Sequence, residues 1–152
     1  MKEDSKFGLE INKYLNQYIA IADAKAAGLV TASLTLAGFT YLNLSTYCFS
    51  WILTLSYIMY AVCIILCTIV LFPRLTSRGN SLIFWEDIDK NFSSPEKYYM
   101  SIKSLNNKKR EREYSYQNFY ISKILHKKYM AIRISSIIFL IAGGLTFYNF
   151  LF

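Results

Sequence analysis

The chain has 152 residues, a formal net charge of +7, a mean hydropathy of +0.25 and 54% hydrophobic residues. No Asp, Glu, Lys, Arg or His occurs in Ala26–Pro73 or in Ile134–Phe152. An ionisable side chain at the centre of a bilayer costs about 2.5–3.5 kcal/mol on insertion scales, so such runs are typical of membrane-buried helices. The composition therefore excludes an ordinary soluble domain and predicts an all-α integral membrane protein.

The N-terminal segment, residues 1–25, predicts a cytosolic amphipathic helix. Its apolar residues recur at steps of three and four: Phe7, Ile11, Tyr14, Leu15, Tyr18, Ile19 and Ala22. A matching stripe occurs before the last apolar run: Tyr114, Ile121, Ile124, Leu125 and Ile132. Each stripe needs an apolar surface to cover it, so we expect the two helices to pack on each other.

The first charge-free run, residues 26–73, is too long for one crossing, because about 20 helical residues span the hydrocarbon core. It predicts a transmembrane hairpin with spans at about 26–44 and 49–72 and a turn at Ser45-Thr46-Tyr47. Pro73 ends the second span, since the residue before a proline is pushed out of the α region.

The second charge-free run, residues 134–152, predicts a third transmembrane helix.

Four Lys precede the hairpin and thirteen Lys and Arg lie within residues 74–133, whereas the hairpin turn and the C-terminal end have none. Because Lys and Arg accumulate on the cytoplasmic side, we expect a multi-pass protein with a cytoplasmic N-terminus. The excess positive charge borders the spans, where it sets topology and attracts anionic lipid. It therefore does not predict nucleic-acid binding.

Residues 74–133 predict a cytosolic helical region between the second and third spans. Residues 76–80 predict a turn, and the run 81–85 is too short to be assigned to a strand or a helix. Ser93 and Glu96 have capping-box spacing and Pro95 suits a first turn, which predicts a helix over about 95–105. The basic residues 108–110 then predict a solvated connection.

No catalytic or metal-binding pattern occurs in the sequence. The single histidine, His126, excludes a two-histidine metal site, and the serines lack a residue that would act as their base. Cys63 and Cys67 share a helix face, but they lack further ligands and are interpreted as buried small residues. We therefore predict no enzyme activity, no metal and no bound cofactor.

Short strings at the edges of the spans are informative as an ordered set. They are Ala22-Asp23-Ala24-Lys25-Ala26, Pro73-Arg74, Asn80-Ser81-Leu82-Ile83-Phe84-Trp85, Ser94-Pro95-Glu96-Lys97-Tyr98, Gln117-Asn118, Ser122-Lys123-Ile124, Lys127-Lys128-Tyr129 and Ile132-Arg133. In this order and spacing, the chain resembles the transmembrane effector family of Pycsar antiphage systems over about residues 10–150. One string departs from the family pattern, because Phe84-Trp85-Glu86 stands where Phe-Phe-Gly is expected.

The resemblance implies a ligand, a partner and a task. In such systems a neighbouring pyrimidine cyclase makes cyclic UMP or cyclic CMP on phage infection, and the effector impairs the bacterial inner membrane. The resulting abortive infection stops phage from spreading. Two other classes remain open, a small channel subunit and a membrane anchor that docks a cytosolic partner.

A cyclic pyrimidine mononucleotide presents a phosphate, a ribose 2′-hydroxyl and a pyrimidine edge. Its site needs cations, an amide and an aromatic face. The cytosolic half offers these candidate ligand-binding residues: Arg74, Arg78, Asn80, Trp85, Gln117, Asn118 and Lys123. Other roles remain open, since Arg74 beside a span is also typical of a topology determinant and Trp85 of an interfacial residue.

Four charged residues lie where helices enter the membrane: Asp23, Lys25, Lys128 and Arg133. An acid close to lipid needs a cation, so we expect an Asp23–Arg133 or Asp23–Lys128 link between the cytoplasmic ends of the first and third spans. Lys25 lies on another helix face from Asp23 and can extend toward the lipid headgroups.

Small residues in the spans form a candidate packing surface: Ala24, Gly28 and Ala32 in the first span, with Gly143 and Gly144 in the third. Small side chains let helix backbones approach closely. Three helices cannot line a pore, so membrane damage predicts a homo-oligomer in the lipid bilayer. The same residues are equally compatible with packing inside one subunit.

Overall fold

A computed structural model describes residues 4–44, 51–72 and 81–151. Within those ranges the chain forms five helices and no strand: α1 (Asp4–Leu44), α2 (Trp51–Leu71), α3 (Trp85–Asn91), α4 (Pro95–Lys103) and α5 (Asn107–Leu151). The predicted all-α class is therefore confirmed. The predicted turns at 45–47 and 76–80 lie outside the described residues.

Three of these helices, α1, α2 and α5, are long and apolar enough to cross a membrane. Their most apolar windows have mean hydropathies of 1.4, 2.3 and 1.9, respectively. With 41 and 45 residues, α1 and α5 are about twice the length that a bilayer requires. Each therefore has a polar extension beyond its apolar part.

The chain divides into two compact units. We call Met1–Ile19 with Arg74–Leu125 the polar unit, and Ala20–Pro73 with His126–Phe152 the apolar unit. Helices α1 and α5 each contribute residues to both.

The apolar unit buries a mixture of small, polar and large apolar side chains, and it exposes many other large apolar ones. The buried positions of α2 are Leu53, Ser56, Tyr60, Cys63, Cys67 and Val70. They alternate steps of three and four, the spacing of left-handed coiled-coil packing. In contrast, Leu34, Ile65 and Leu140 are 57%, 60% and 71% exposed. A surface of this kind suits contact with lipid tails, because membrane helices pack through small residues and turn large apolar ones outward.

Polar side chains inside the apolar unit bond to one another. Ser33 Oγ donates to Cys63 Sγ at 3.4 Å, and Cys63 Sγ donates to the Ser135 carbonyl at 3.5 Å. The Tyr60 hydroxyl lies 3.3 Å from Thr146 Oγ1. Cys63 and its neighbour Cys67 are free and buried. Their interpretation as buried small residues is confirmed.

In the polar unit, α4 begins at Pro95 as predicted, but its N-cap is one residue later than predicted. Ser94 is the N-cap, since its hydroxyl accepts a hydrogen bond from the Lys97 backbone N–H at 3.4 Å, and Pro95 follows in the first turn. Ser93 instead accepts a hydrogen bond from the Lys97 ammonium at 3.0 Å. The assignment of Ser93 as the cap was wrong, and α4 ends at Lys103 rather than near residue 105.

The basic residues 108–110 belong to the start of α5, so their assignment to a connection was wrong. Asn106 explains this start, because its side-chain oxygen accepts a hydrogen bond from the Lys109 backbone N–H at 2.8 Å. The Asn106 carbonyl also accepts from the Arg110 N–H at 3.0 Å. This capping lets the helix begin before the basic cluster.

Candidate functional site

The polar unit contains a half-open cavity of about 200 Å³ that is formed by three separate segments. Its lining residues are Leu82 and Ile83 from the segment before α3, Tyr98, Ile102 and Leu105 from α4 and the turn after it, and Arg110, Glu113 and Tyr114 from α5. A mostly apolar lining with a few convergent polar groups is typical of small-molecule sites.

The segment before α3 is a tight turn organised around Ser81. The backbone N–H of Ser81 donates to the buried carboxylate of Asp87 at 2.9 Å. The Ser81 hydroxyl accepts from the N–H groups of Ile83 and Phe84 at 3.2 and 3.3 Å. These side-chain hydrogen bonds replace those of a helix or a sheet, which explains why the run 81–84 forms neither.

Two cavity residues fix this segment to α4 and α5. The Tyr98 hydroxyl donates to the Leu82 carbonyl at 2.9 Å, and the Leu82 N–H donates to Glu113 Oε2 at 3.4 Å. Both backbone polar groups of Leu82 are therefore satisfied by side chains that line the cavity. Hydrogen bonds, in addition to apolar contacts, therefore hold the walls of the cavity together.

The charged groups of the cavity come from one face of α5. Arg110 and Glu113 are three residues apart and therefore neighbours on the helix surface. Arg110 is exposed, whereas Glu113 and Tyr114 are half-buried. One cation, one carboxylate and the rings of Tyr98 and Tyr114 equip the cavity for a small molecule that carries both an anionic group and a hydrogen-bond donor.

Tyr114 also lies against α1 within the polar unit. A Cβ atom added at Gly8 would be 3.0 Å from the Cβ of Tyr114, so the two helices approach closely at this point. Next to it, Asn118 Nδ2 donates to the Gly8 carbonyl at 2.9 Å, and Asn12 Nδ2 donates to Asn118 Oδ1 at 2.9 Å. The contact of α1 with α5 thus depends on a glycine and a buried amide pair.

These contacts confirm that α1 packs on α5, but they show that only part of the predicted apolar stripe forms the buried face. Phe7 and Tyr14 are 66% and 55% exposed, whereas Gly8 and Asn12 of the same helix are buried. Small side chains allow the close approach, and the amides satisfy each other once buried.

A larger and more open groove of about 630 Å³ follows α5. The lining residues that are described all belong to this helix: Lys108, Glu111, Arg112, Ser115, Tyr116 and Phe119. Arg112 donates to the Tyr116 hydroxyl at 3.3 Å, and this hydrogen bond raises the pKa of the Arg112 guanidinium. A small molecule in this groove would bury less of its surface than one in the cavity.

An ion pair in the apolar unit links α1 to α5. The Lys128 ammonium contacts the carboxylate of Asp23, and the two side chains are 5% and 36% exposed. Arg133, the other expected partner, is exposed. Lys25 lies 5.6 Å from the ring centroid of Tyr129, within cation–π range. Of the two expected links, the structure contains Asp23–Lys128.

The family match covers nearly the whole chain. Residues 7–152 match the family described as the Pycsar effector protein domain. The chain belongs to the Pycsar effector family. It is 27% identical over 137 residues to the Pycsar effector protein SaPycTM of Staphylococcus aureus, a match that covers 88% of this chain and 85% of that protein. No solved structure matches the chain.

The resemblance found in the strings at the edges of the spans is therefore confirmed. The family is that of the transmembrane effectors of Pycsar antiphage defence, and we refer to the chain below as the effector. Within the three described ranges, no cluster of His, Cys, Asp and Glu is suited to a metal ion.

Three of the effector's ligand-binding candidates, Arg74, Arg78 and Asn80, lie outside the described residues. Trp85 is the first residue of α3 and is 63% exposed, with its ring centroid 6.0 Å from that of Phe84. It is not among the cavity residues.

The remaining candidates occupy different surroundings on α5. Asn118 is buried in the contact with α1, where it has a structural role. The Gln117 side-chain oxygen is buried without a hydrogen-bond partner in the described part of the effector. Lys123 is exposed, and its ammonium lies 4.3 Å from the ring centroid of Phe119. The structure does not bring these three residues together at the cavity.

Sequence reasoning missed the polar cavity residues Tyr98, Arg110, Glu113 and Tyr114. A usable signal was present, because the last three have the spacing i, i+3, i+4 of one helix face. This spacing did not indicate a helix face as long as residues 108–110 were assigned to a connection between helices.

The candidate packing surface of the effector divides into two parts. On α1, Ala24 and Gly28 are exposed and Ala32 is half-buried. A Cβ atom at Gly28 or Gly144 would meet nothing within 4 Å, whereas one at Gly143 would lie 3.9 Å from a tyrosine hydroxyl. Gly143 therefore faces the interior of its subunit, and Gly28 and Gly144 have open space beside them.

Proposed function

We propose that the effector is activated by a cyclic pyrimidine mononucleotide, cyclic UMP or cyclic CMP, and then impairs the bacterial inner membrane. Membership of the Pycsar effector family carries this proposal. A pyrimidine cyclase would supply the ligand during phage infection, and growth arrest or death of the infected cell would limit phage spread.

The apolar unit supports a membrane-directed output. Its exposed large apolar residues suit a lipid environment, and its interior includes small and hydroxyl-bearing side chains that allow helices to pack closely. The distribution of Lys and Arg supports a cytoplasmic N-terminus, which would place the polar unit where a cytosolic nucleotide can reach it.

We further propose that the active form is a homo-oligomer. Gly28 and the exposed Ala24 give α1 a small-residue surface that is open in the single subunit, as close approach by another helix would require. Nucleotide binding would favour the oligomer in proportion to its higher affinity for that state.

Co-expression in bacteria tests this function. Cells that carry the effector and an inducible pyrimidine cyclase should take up a membrane-impermeant dye after cyclase induction. Cells with a cyclase active-site variant should exclude the dye. Dye uptake without the cyclase would favour a constitutive channel, and dye exclusion in all strains would favour a membrane anchor.

A further inference from the structure

The cavity between residues 82–83, α4 and the start of α5 has a lining whose chemistry suits one ligand class. We propose that it binds the cyclic pyrimidine mononucleotide, with Arg110 on the phosphate and Glu113 on a ribose or pyrimidine donor, a proposal that rests on the proposed function.

The charge of the cavity suits a cyclic monophosphate. A cyclic phosphodiester carries one negative charge, and Arg110 supplies one cation with a planar set of donors that fits two phosphate oxygens. A nucleoside triphosphate would need more positive charge than one arginine supplies, and the carboxylate of Glu113 would repel its larger negative charge more strongly than that of a cyclic monophosphate.

Glu113 retains hydrogen-bonding capacity for a ligand. Its Oε2 accepts from the Leu82 N–H at 3.4 Å, and its other oxygen accepts no hydrogen bond from the described residues. A carboxylate oxygen can accept from the ribose 2′-hydroxyl, from N3–H of uracil or from the amino group of cytosine. The tyrosine rings and apolar side chains of the lining then provide contact for the pyrimidine ring.

The volume of the cavity favours a small ligand. At about 200 Å³ it lies below the range of about 300–1,000 Å³ that is common for drug-sized molecules. A pyrimidine ring or a cyclic phosphoribose fits such a space better than a purine or a dinucleotide. The open side accommodates the part of the ligand that is not enclosed.

Tyr114 connects the cavity to α1. Its side chain lines the cavity, and its Cβ lies against Gly8, next to the Asn12–Asn118 hydrogen bond. A ligand that shifts Tyr114 must therefore change the contact between α1 and α5 in the polar unit. Ligand binding in the cavity would therefore alter the packing of α1 on α5, because close-packed helices cannot deform without rearranging.

The test uses two arginines that differ mainly in position. Arg110 lines the cavity and Arg112, two residues further along α5, lines the open groove. Both are exposed, so neither Arg110→Ala nor Arg112→Ala should disturb folding, which far-UV circular dichroism checks. Binding of cyclic UMP, cyclic CMP and cyclic AMP to the full-length protein in detergent is measured by isothermal titration calorimetry.

Arg110→Ala should weaken pyrimidine nucleotide binding by about 10- to 100-fold through loss of charge-assisted hydrogen bonds. Arg112→Ala should change it by less than about twofold, and cyclic AMP should bind more weakly than the pyrimidines. Wild-type affinity in Arg110→Ala, equal loss in Arg112→Ala, or equal binding of cyclic AMP would overturn the site. If the wild-type protein binds none of the three nucleotides, direct activation itself fails.

Discussion

Removal of the Asp23 carboxylate should destabilise the effector more than removal of the Lys128 ammonium. The Lys128 side chain is 5% exposed and that of Asp23 is 36% exposed. Asp23→Asn would leave a buried ammonium without a counterion, and breaking a buried pair in this way costs about 3–5 kcal/mol. Lys128→Met would remove the buried charge and leave a carboxylate that water reaches, so its cost should be about 1 kcal/mol or less.

Thermal unfolding of the purified protein in detergent, followed by far-UV circular dichroism, measures this difference. The apparent midpoint should fall furthest for Asp23→Asn, while the exposed neighbour Lys127→Met serves as a control with little effect. The double variant with Asp23→Asn and Lys128→Met should lie closer to the wild type than Asp23→Asn alone, because no buried charge remains.

A charge exchange adds a functional readout. Asp23→Lys and Lys128→Asp should each abolish nucleotide-dependent release of dye from liposomes that contain the effector. The two substitutions together should restore part of that release. The reasoning is refuted if Lys128→Met destabilises as much as Asp23→Asn, or if the double variant is the least stable of the set.

Three further substitutions test other contacts. Gly8→Ala should uncouple nucleotide binding from dye release, because its new Cβ would lie 3.0 Å from Tyr114 Cβ, whereas Gly38→Ala meets nothing within 4 Å and should behave as wild type. Asn12→Ala removes the donor to the buried side-chain oxygen of Asn118 and should lower the free energy of unfolding by about 1–3 kcal/mol in chemical denaturation. Gly28→Leu should abolish nucleotide-dependent crosslinked oligomers while membrane insertion is retained; unchanged crosslinking would exclude this face of α1.

The helical class and the long apolar helices were predictable because charge-free runs have few alternatives to a membrane. The buried face of α1 was predicted only in part, since Ala22 is buried as expected but Phe7 and Tyr14 are exposed. In α1, the apolar stripe that includes Phe7 and the stripe that includes Gly8 and Asn12 both have helical spacing. Which stripe is buried depends on the approach distance of α5, and that distance is set by Gly8 and a buried amide pair rather than by local hydrophobicity.

The cavity was not predicted from the sequence, for a different reason. Arg110 looked like part of a solvated basic run until the Asn106 cap placed it in the first turn of α5. In contrast, the acid Asp23 near an apolar run required a nearby cation, which narrowed its partner to two residues. A sequence pattern shows that a charge needs a partner, but only the packed helices select Lys128 over Arg133.

Dye release from liposomes that contain only the purified effector most directly tests whether a cyclic pyrimidine nucleotide activates it. Addition of cyclic UMP or cyclic CMP should release the dye, and linear UMP or no nucleotide should leave the liposomes intact. Release without nucleotide, or intact liposomes with both cyclic pyrimidines, would contradict a ligand-activated membrane effector.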